Sequence, residues 1–287
     1  MTAISVRGLR KSYGAVEAVR GIDFEVAKGE VFGLLGPNGA GKTSTVEILE
    51  GYRQRDGGEV DVIGFDPGKA ERAFRERIGV VLQSSDLWPS LTVRETHALF
   101  AGYYEHPRPI DDVIGLVGLA EKRDARVKTL SGGQKRRLDL GIALVGDPEL
   151  VFLDEPTTGF DPAARRNAWE LVRSLRELGK TVLLTTHYLD EAQQLADRVA
   201  VLVGGEIVRI GKPSELTAST KAQIRYRRDG ELVVVETEEP TRALHELTTA
   251  ALAAGRELEA LEVRRATLED VYLQLVDEEP GDEGSST

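Results

Sequence analysis

The chain has 287 residues, 41% of them hydrophobic and 30% charged, a balance typical of a globular protein with room for one large domain and a small second one. Its net charge of -11 argues against a general nucleic-acid-binding protein, and with no cysteine it forms neither disulfides nor thiolate metal sites. It contains no apolar run near the roughly 18 residues of a membrane-spanning helix, and its first residues lack the apolar core of a signal peptide.

The N-terminal part predicts short strands and one helix. The strand candidates either alternate or form apolar runs too short for a helix; in chain order they are ISVRGL, GIDFEV, VFGLLG, GEVDVIG and IGVVLQ. Because VFGLLG is apolar throughout and leads directly into glycines, it predicts a buried, parallel strand. The segment that follows, GKTSTVEILEGY, has the apolar spacing of a helix.

The middle of the chain adds helices and two more buried strands. Between about residues 91 and 120 the apolar residues recur at helical spacing. The short apolar runs ELVFLD and TVLLTT follow, with a helical segment between them. Strands that alternate with helices predict an α/β fold with a mainly parallel sheet. The helical stretch, over about residues 84–145, is expected to be a subdomain inserted into that fold.

The C-terminal part predicts a separate small α+β module. Two strand candidates, QIRYRR and ELVVVET, precede a helical segment, and the chain closes with the amphipathic stretch LEDVYLQL. We expect a first domain over residues 1–215, an accessory module over 216–278 and a disordered acidic tail over 279–287.

The most specific motif is GPNGAGKT, which matches the phosphate-binding pattern G-x-x-x-x-G-K-[ST] between an apolar strand and a helix. Such a loop curls backbone N–H groups around phosphates, and the helix N-terminus adds positive potential. Lys42, a predicted catalytic residue, would reach the β- and γ-phosphates, and Thr43 would hold Mg²⁺ through its hydroxyl. The predicted nucleotide-contacting residues are Gly36, Pro37, Asn38, Gly39, Ala40, Gly41, Lys42, Thr43 and Ser44.

The segment LVFLDEP supplies two carboxylates at the end of a predicted strand. Open α/β sheets bind ligands at the carboxyl ends of their strands, which suits Asp154 as a Mg²⁺ ligand, acting through water. Glu155 projects differently and can polarise an attacking water as general base. Without the phosphate-binding loop, two acids at an ordinary strand end would be an equally good interpretation.

In this order, the segments GPNGAGKT, LSGGQ, FLDEP and TTH make the region from Ile4 to Gly211 resemble the ATP-binding subunit of an ABC transporter. The resemblance implies a P-loop NTPase core with an N-terminal antiparallel β subdomain. It also implies ATP and Mg²⁺ as cofactors and an ATPase activity that drives transport.

The same resemblance assigns roles to three residues outside the loop. Tyr13 stands where the family has an aromatic ring that stacks on adenine, although a lone tyrosine near a strand is more often a packing residue. Gln83 matches a glutamine that touches Mg²⁺ or the attacking water, and His187 matches a histidine that contacts the γ-phosphate.

The LSGGQ segment is a second potential anion site, because a helix N-terminus fronted by Ser131, Gly132 and Gly133 offers a hydroxyl and backbone N–H groups. Considered alone, Ser131 could equally be an N-cap before a flexible turn. The resemblance implies that Ser131, Gly132, Gly133, Gln134 and Asp161 instead act on the ATP held by a second copy, in a head-to-tail homodimer. The cations from Lys135 to Arg137 predict a solvated helix face.

The resemblance further implies separately encoded permease subunits, a place on the cytoplasmic face of the cell membrane, and no nucleic-acid partner. SSDLWPSLTV is the expected permease contact, with Trp88 and Leu91 either exposed there or buried in the subdomain. THYLDEA and ATLEDVYLQL resemble drug and antibiotic exporter ATPases of the daunorubicin-resistance type. An importer ATPase, or a soluble ABC ATPase acting on ribosomes or DNA, remains the alternative.

Overall fold

In the computed structural model, which describes residues 1–69, 71–81, 87–158, 160–218, 222–228, 230–264 and 267–277, strands and helices alternate along most of the chain. The chain divides into two units, Met1–Ile210 and a second that begins at Gly211. The strands of the first unit are β1 (Thr2–Tyr13), β2 (Val16–Ala27), β3 (Val31–Leu35), β4 (Gly57–Val62), β5 (Ile78–Val81), β6 (Leu150–Asp154), β7 (Thr181–Thr186), β8 (Arg198–Val203) and β9 (Glu206–Gly211). Its helices are α1 (Lys42–Leu49), α2 (Arg72–Arg75), α3 (Val93–Ala101), α4 (Ile110–Leu116), α5 (Gly132–Leu144), α6 (Pro162–Glu177) and α7 (Leu189–Leu195).

An antiparallel sheet in the order β2-β1-β4 confirms the expected N-terminal β subdomain. Strands β1 and β2 have 12 residues each, so the prediction of short strands was wrong. Gly8 and Gly21 have φ angles of 58° and 92° and lie where the register between the two strands shifts. Such bulges keep two long strands paired while they interrupt the alternation that the sequence shows.

The main sheet has the order β5-β6-β7-β3-β8-β9, and the four pairs from β5 to β8 along this order are parallel. Strands β3 and β7 are buried along their whole length. The predicted α/β fold with a mainly parallel sheet is therefore confirmed. Because β6, β7 and β3 are neighbours that run in the same direction, their last residues Asp154, Thr186 and Leu35 meet at one edge of the sheet.

Helices α3, α4 and α5 lie between β5 and β6 in the chain and enclose an apolar core, which includes Val93, Val113, Ile114, Leu119 and Leu138. His97 is buried where α3 packs on α5, and a Cβ on Gly141 would lie only 2.2 Å from its Nε2 atom. The missing side chain of Gly141 thus lets the two helices approach closely.

The second unit contains an antiparallel sheet in the order β11-β10-β12. Its elements are α8 (Pro213–Ala218), β10 (Ala222–Arg228), β11 (Glu231–Thr237), α9 (Pro240–Ala253), β12 (Glu259–Arg264) and α10 (Leu268–Asp277). The small core of this unit contains Ile224, Tyr226 and Leu268. The predicted acidic tail, 279–287, lies outside the described residues.

We expect Gly141→Ala to lower the free energy of unfolding by about 1–3 kcal/mol, because the added methyl group collides with the buried His97 ring. Alanine has the better helix propensity by ~1 kcal/mol, so a net loss isolates the collision. Urea unfolding measures the change.

The matched control is Gly115→Ala, at an exposed position of α4 where an added Cβ would have no neighbour within 4 Å. This variant should gain up to ~1 kcal/mol. Equal stability of the two alanine variants would contradict the close packing of α3 on α5.

Candidate nucleotide-binding site

The loop after β3 keeps its shape because two of its residues have no side chain. A Cβ on Gly36 would lie 2.3 Å from the carbonyl oxygen of Leu202, and one on Gly41 would lie 2.2 Å from that of Ala18. Gly41 also has a φ of 98°, a conformation that favours glycine. Strands β8 and β2 therefore lie against the loop backbone and restrict its conformation.

The remaining loop residues leave their outer side open. Asn38 and Gly39 are exposed, whereas Ala40 is buried beneath them. At the start of α1, Thr45 is buried and its hydroxyl donates to the carbonyl oxygen of Gly41 at 2.9 Å. Thr43, two residues earlier, has an exposed side chain. Thr45 thus stabilises the first turn of the helix, whereas Thr43 is exposed.

Lys42 is the buried cation of the loop, with 5% of its surface exposed. Its Nζ atom donates to the carbonyl oxygens of Gly36 at 2.7 Å and Pro37 at 3.0 Å. Burial lowers the pKa of Lys42, and the negative charges of Glu155 and Asp154 act in the opposite direction. The structure thus brings this ammonium group into the field of both predicted carboxylates.

The two carboxylate residues are held by one threonine of the neighbouring strand β7. The hydroxyl of Thr185 donates to Oδ1 of Asp154 at 2.5 Å and accepts from the backbone N–H of Glu155 at 2.9 Å. Glu155 has a φ of 43°, a strained value for a residue with a side chain. Thr158 also donates to Oε2 of Glu155 at 3.1 Å, so hydrogen bonds hold the strained residue from two sides.

His187 follows β7 and contacts the same carboxylate. Its Nδ1 atom lies 3.2 Å from Oε1 of Glu155, and its ring centroid lies 4.1 Å from that of Tyr188. The histidine and the predicted general base therefore form one group at the edge of the sheet.

Tyr13 ends β1 and lies beside the first turn of α1. Its hydroxyl is 3.0 Å from Oγ of Ser44, within hydrogen-bond distance, and 41% of the residue is exposed. The structure thus joins Tyr13 to the phosphate-binding loop and leaves much of its ring accessible, unlike a residue that only packs.

Ser131 is the N-cap of α5, in the form that the sequence left open as an alternative. Its Oγ atom accepts from the N–H of Gln134 at 3.3 Å, and the side chain of Gln134 accepts from the N–H of Ser131 at 2.9 Å. A Cβ on Gly132 or Gly133 would have no neighbour within 4 Å. The helix tip is thus ordered by its own capping box and open on its outer side.

This helix tip borders a cavity of about 630 Å³ that is distinct from the phosphate-binding loop. Among the described residues that line it are Ser131, Gly132, Gly133, Gln134 and Asp161, and none of them belongs to the loop from Gly36 to Thr43. Asp161 accepts from the N–H of Ala164 at 2.8 Å and so caps α6. Within one chain, the helix tip and the phosphate-binding loop thus do not line one common cavity.

The sequence also predicted contacts at Gln83, Trp88 and Leu91. Gln83 and residues 84–86 lie outside the described residues. For Trp88 and Leu91 the sequence left exposure and burial open. Trp88 is 52% exposed, whereas Leu91 is half-buried.

Sequence reasoning missed two residues of the site. Thr185 stands in TTH, but its role depends on β7 lying next to β6, which no local pattern reveals. Arg136 was expected on a solvated face, yet its guanidinium donates to the carbonyl oxygens of Asp154 and Pro156, both at 3.3 Å, and burial lowers its pKa. It links the helix that follows Ser131 to the acidic loop.

Glu50, the C-cap of α1, is a buried carboxyl group near the site, with 6% of its surface exposed. Burial raises its pKa from 4.5 to about 8, and the charges of Asp154 and Glu47 act in the same direction. Near neutral pH this group is largely protonated.

The chain is similar in sequence to several known proteins. Residues 19–158 match the family model described as ABC transporter. The chain is 39% identical to the daunorubicin resistance ATP-binding protein DrrA3 of Streptomyces coeruleorubidus, with 96% of each chain covered. It is 46% identical to the Nod factor export ATP-binding protein I of Paraburkholderia xenovorans, over 76% of this chain and 73% of that one.

The fold is similar to that of cbiO1 from Clostridium perfringens, described as part of the ABC transporter complex cbiONQ. The TM-score is 0.70 at 28% identity, with 76% of this chain and 91% of that one covered. Among the residues that the structure describes, no helix has the length and apolar character needed to cross a membrane.

We expect Glu50→Gln to gain stability relative to the wild type as the pH rises. The folded chain binds the Glu50 proton more tightly than the unfolded chain between about pH 4.5 and pH 8, so the wild type loses stability through this window. Glutamine cannot ionise, and the relative gain from pH 5 to pH 8 should be on the order of 3 kcal/mol in urea unfolding.

The control for this measurement is Glu59→Gln, at an exposed position of β4. It should show no comparable gain. A difference between wild type and Glu50→Gln that is the same at both pH values would refute the raised pKa.

Proposed function

The chain belongs to the family of ABC transporter ATP-binding proteins, and on this premise we propose that it is the ATP-hydrolysing subunit that powers a membrane exporter. The observation that carries the proposal is the convergence of the ammonium group of Lys42 with the carboxylates of Asp154 and Glu155 at one sheet edge. The names of the relatives, a daunorubicin resistance protein and a Nod factor export protein, favour an exporter over an importer or a soluble ATPase.

In the proposed mechanism, the loop from Gly36 to Ser44 binds the triphosphate through its backbone N–H groups and Lys42. Glu155 accepts a proton from the water that attacks the γ-phosphorus, the bond from that phosphorus to the β,γ-bridging oxygen breaks, and ADP leaves. His187, which contacts the same carboxylate, would contact the γ-phosphate. Tyr13 stacks on the adenine ring, for which its exposed surface is suited. Gln83 is proposed, from its motif alone, to touch the attacking water or Mg²⁺.

The residues at the loop fit Mg²⁺ as the metal. Thr43 is an exposed residue with a hydroxyl group and Asp154 has a carboxylate, both oxygen ligands of the kind that Mg²⁺ prefers. Among the described residues, no three or more histidine, aspartate or glutamate side chains are arranged so that they could hold a metal ion by themselves. When bound, Mg²⁺ neutralises charge on the β- and γ-phosphates.

We further propose that two copies assemble head to tail, so that Ser131, Gly132 and Gly133 of one copy close over the γ-phosphate held by the other. The support is that the described residues lining the cavity at the helix tip before α5 include none from the loop Gly36 to Thr43. Gln134 and Asp161 border that cavity and are proposed to act with it. Loss of the γ-phosphate then removes contacts between the copies and favours opening.

A separately encoded permease is the proposed membrane partner, and it would hold this subunit at the cytoplasmic face of the membrane. The proposed contact lies around α3, where Trp88, Leu99 and Tyr103 are exposed. The ring of Phe100 joins them, with its centroid 6.5 Å from that of Trp88 and 6.1 Å from that of Tyr103. Clustered exposed aromatic side chains are typical of protein interfaces.

Glu155→Gln is expected to bind ATP like the wild type but to hydrolyse it at least about 10²-fold more slowly, because the variant lacks the general base. Trapped with ATP, it should accumulate as a dimer in gel filtration. The matched control is Glu149→Gln, an exposed carboxylate just before the start of β6, which should keep wild-type turnover. Wild-type hydrolysis by Glu155→Gln would contradict its role.

A mixture of Lys42→Ala and Ser131→Arg chains should recover ATPase activity that neither variant has alone. In a mixed dimer, one site combines the intact loop of the Ser131→Arg chain with the intact helix tip of the Lys42→Ala chain. Phosphate release is the measurement, and circular dichroism checks that both variants fold. Recovery should approach one functional site per mixed dimer; no gain over the separate variants would overturn the shared site.

A further inference from the structure

Helix α1 ends in a turn that folds the chain back on itself. The N–H of Tyr52 donates to the carbonyl oxygen of Glu47 at 2.9 Å, and the N–H of Gly51 donates to that of Ile48 at 3.1 Å. Gly51 has a φ of 80°, and a Cβ there would lie 2.8 Å from the carbonyl oxygen of Pro67. This Schellman ending returns the next residue, Arg53, to the side of Glu47.

Arg53 is bound to Glu47 twice. Its backbone N–H donates to the carbonyl oxygen of Glu47 at 3.0 Å, and its Nε atom donates to Oε2 of the same residue at 2.5 Å. The backbone hydrogen bond already positions the Cα atom of Arg53. The ion pair therefore orients the guanidinium at a small further cost in conformational entropy.

The guanidinium held in this way lies over the ring of Tyr13, with its carbon 5.2 Å from the ring centroid. The other end of the tyrosine is fixed too, because its hydroxyl lies 3.0 Å from Oγ of Ser44. Asp56 accepts from the N–H of Ser12 at 2.7 Å and from Nζ of Lys11 at 2.8 Å, which ties the end of β1 to the loop that carries Arg53. The ring is thus braced by groups from α1 and from the loop after it.

We propose that Arg53 is a positioning residue for the base of the nucleotide: anchored by Glu47, it holds the Tyr13 ring in the orientation in which its exposed part stacks on adenine. The inference rests on the proposed function, because it takes Tyr13 as the base-stacking residue. A ring that is already oriented loses less entropy on binding, so affinity for the base rises without a direct contact from Arg53.

Arg53→Gln tests the proposal by isothermal calorimetry with two probes, MgATP and inorganic tripolyphosphate. We expect MgATP to bind about two- to fivefold more weakly, the scale of an exposed cation–π contact, and tripolyphosphate to bind as it does to the wild type. A merely structural role, such as support of the phosphate-binding loop, would weaken both probes. Arg53→Lys keeps the cation and should restore part of the loss.

A double-mutant cycle identifies the partner. In a Tyr13→Leu background, Arg53→Gln should have no further effect on MgATP binding, because there is no ring left to orient. The matched control is Arg72→Gln, which also removes an arginine paired with a glutamate, at 2.8 Å, but on the surface of α2. It should leave the affinities for both probes unchanged.

Three outcomes would overturn the inference while the proposed function stands: unchanged MgATP affinity of Arg53→Gln, equal weakening of both probes, or an undiminished effect in the Tyr13→Leu background. Failure of the wild type to bind MgATP at all would instead overturn the proposed function. Lys42→Ala distinguishes the cases, because it should weaken both probes whenever the loop binds phosphate.

Discussion

The parallel pairing of β6 with β7 and of β7 with β3 is the constraint on which the site depends. It aligns Asp154 with Thr185 and Leu35 with Thr186, so that an acidic pair, a histidine and a phosphate-binding loop from distant parts of the chain share one edge. The central strand contributes most directly, since the hydroxyl of Thr185 bonds both to the side chain of Asp154 and to the backbone of Glu155. A shift of register by one residue would remove both bonds.

The strain at Glu155 has the same origin. A residue with a side chain adopts a φ of 43° only where its surroundings compensate, and here Thr185 and Thr158 hold its backbone and its carboxylate. Arg136 bonds to the carbonyl groups on either side of it, those of Asp154 and Pro156. The carboxylate is therefore oriented by hydrogen bonds within the protein itself, and correct placement is the first requirement for a general base.

The sequence predicted the parts of the site that are local. A strand, a glycine loop and a helix are contiguous in GPNGAGKT and its flanks, and the acidic pair ends a strand of its own, so both were identified from short stretches. The brace on Tyr13 and the bonds of Thr185 were not, because they depend on which strands are neighbours and on how α1 ends. The lengths of β1 and β2 were missed because bulges at Gly8 and Gly21 break the alternation. The role of LSGGQ across two copies remains a prediction.

The hydrogen bonds of Lys42 have a consequence for which anions the loop selects. Its ammonium group donates hydrogen bonds to the carbonyl oxygens of Gly36 and Pro37, so a phosphate oxygen has to compete with these two acceptors. The hydrogen bonds that the lysine makes to phosphate therefore contribute only the difference between two sets of bonds, whereas its positive charge still attracts the anion. A single phosphate or sulfate gains little by that exchange, whereas a polyphosphate that also engages several backbone N–H groups gains from all of them together. We therefore expect the loop to favour a polyphosphate over a small anion.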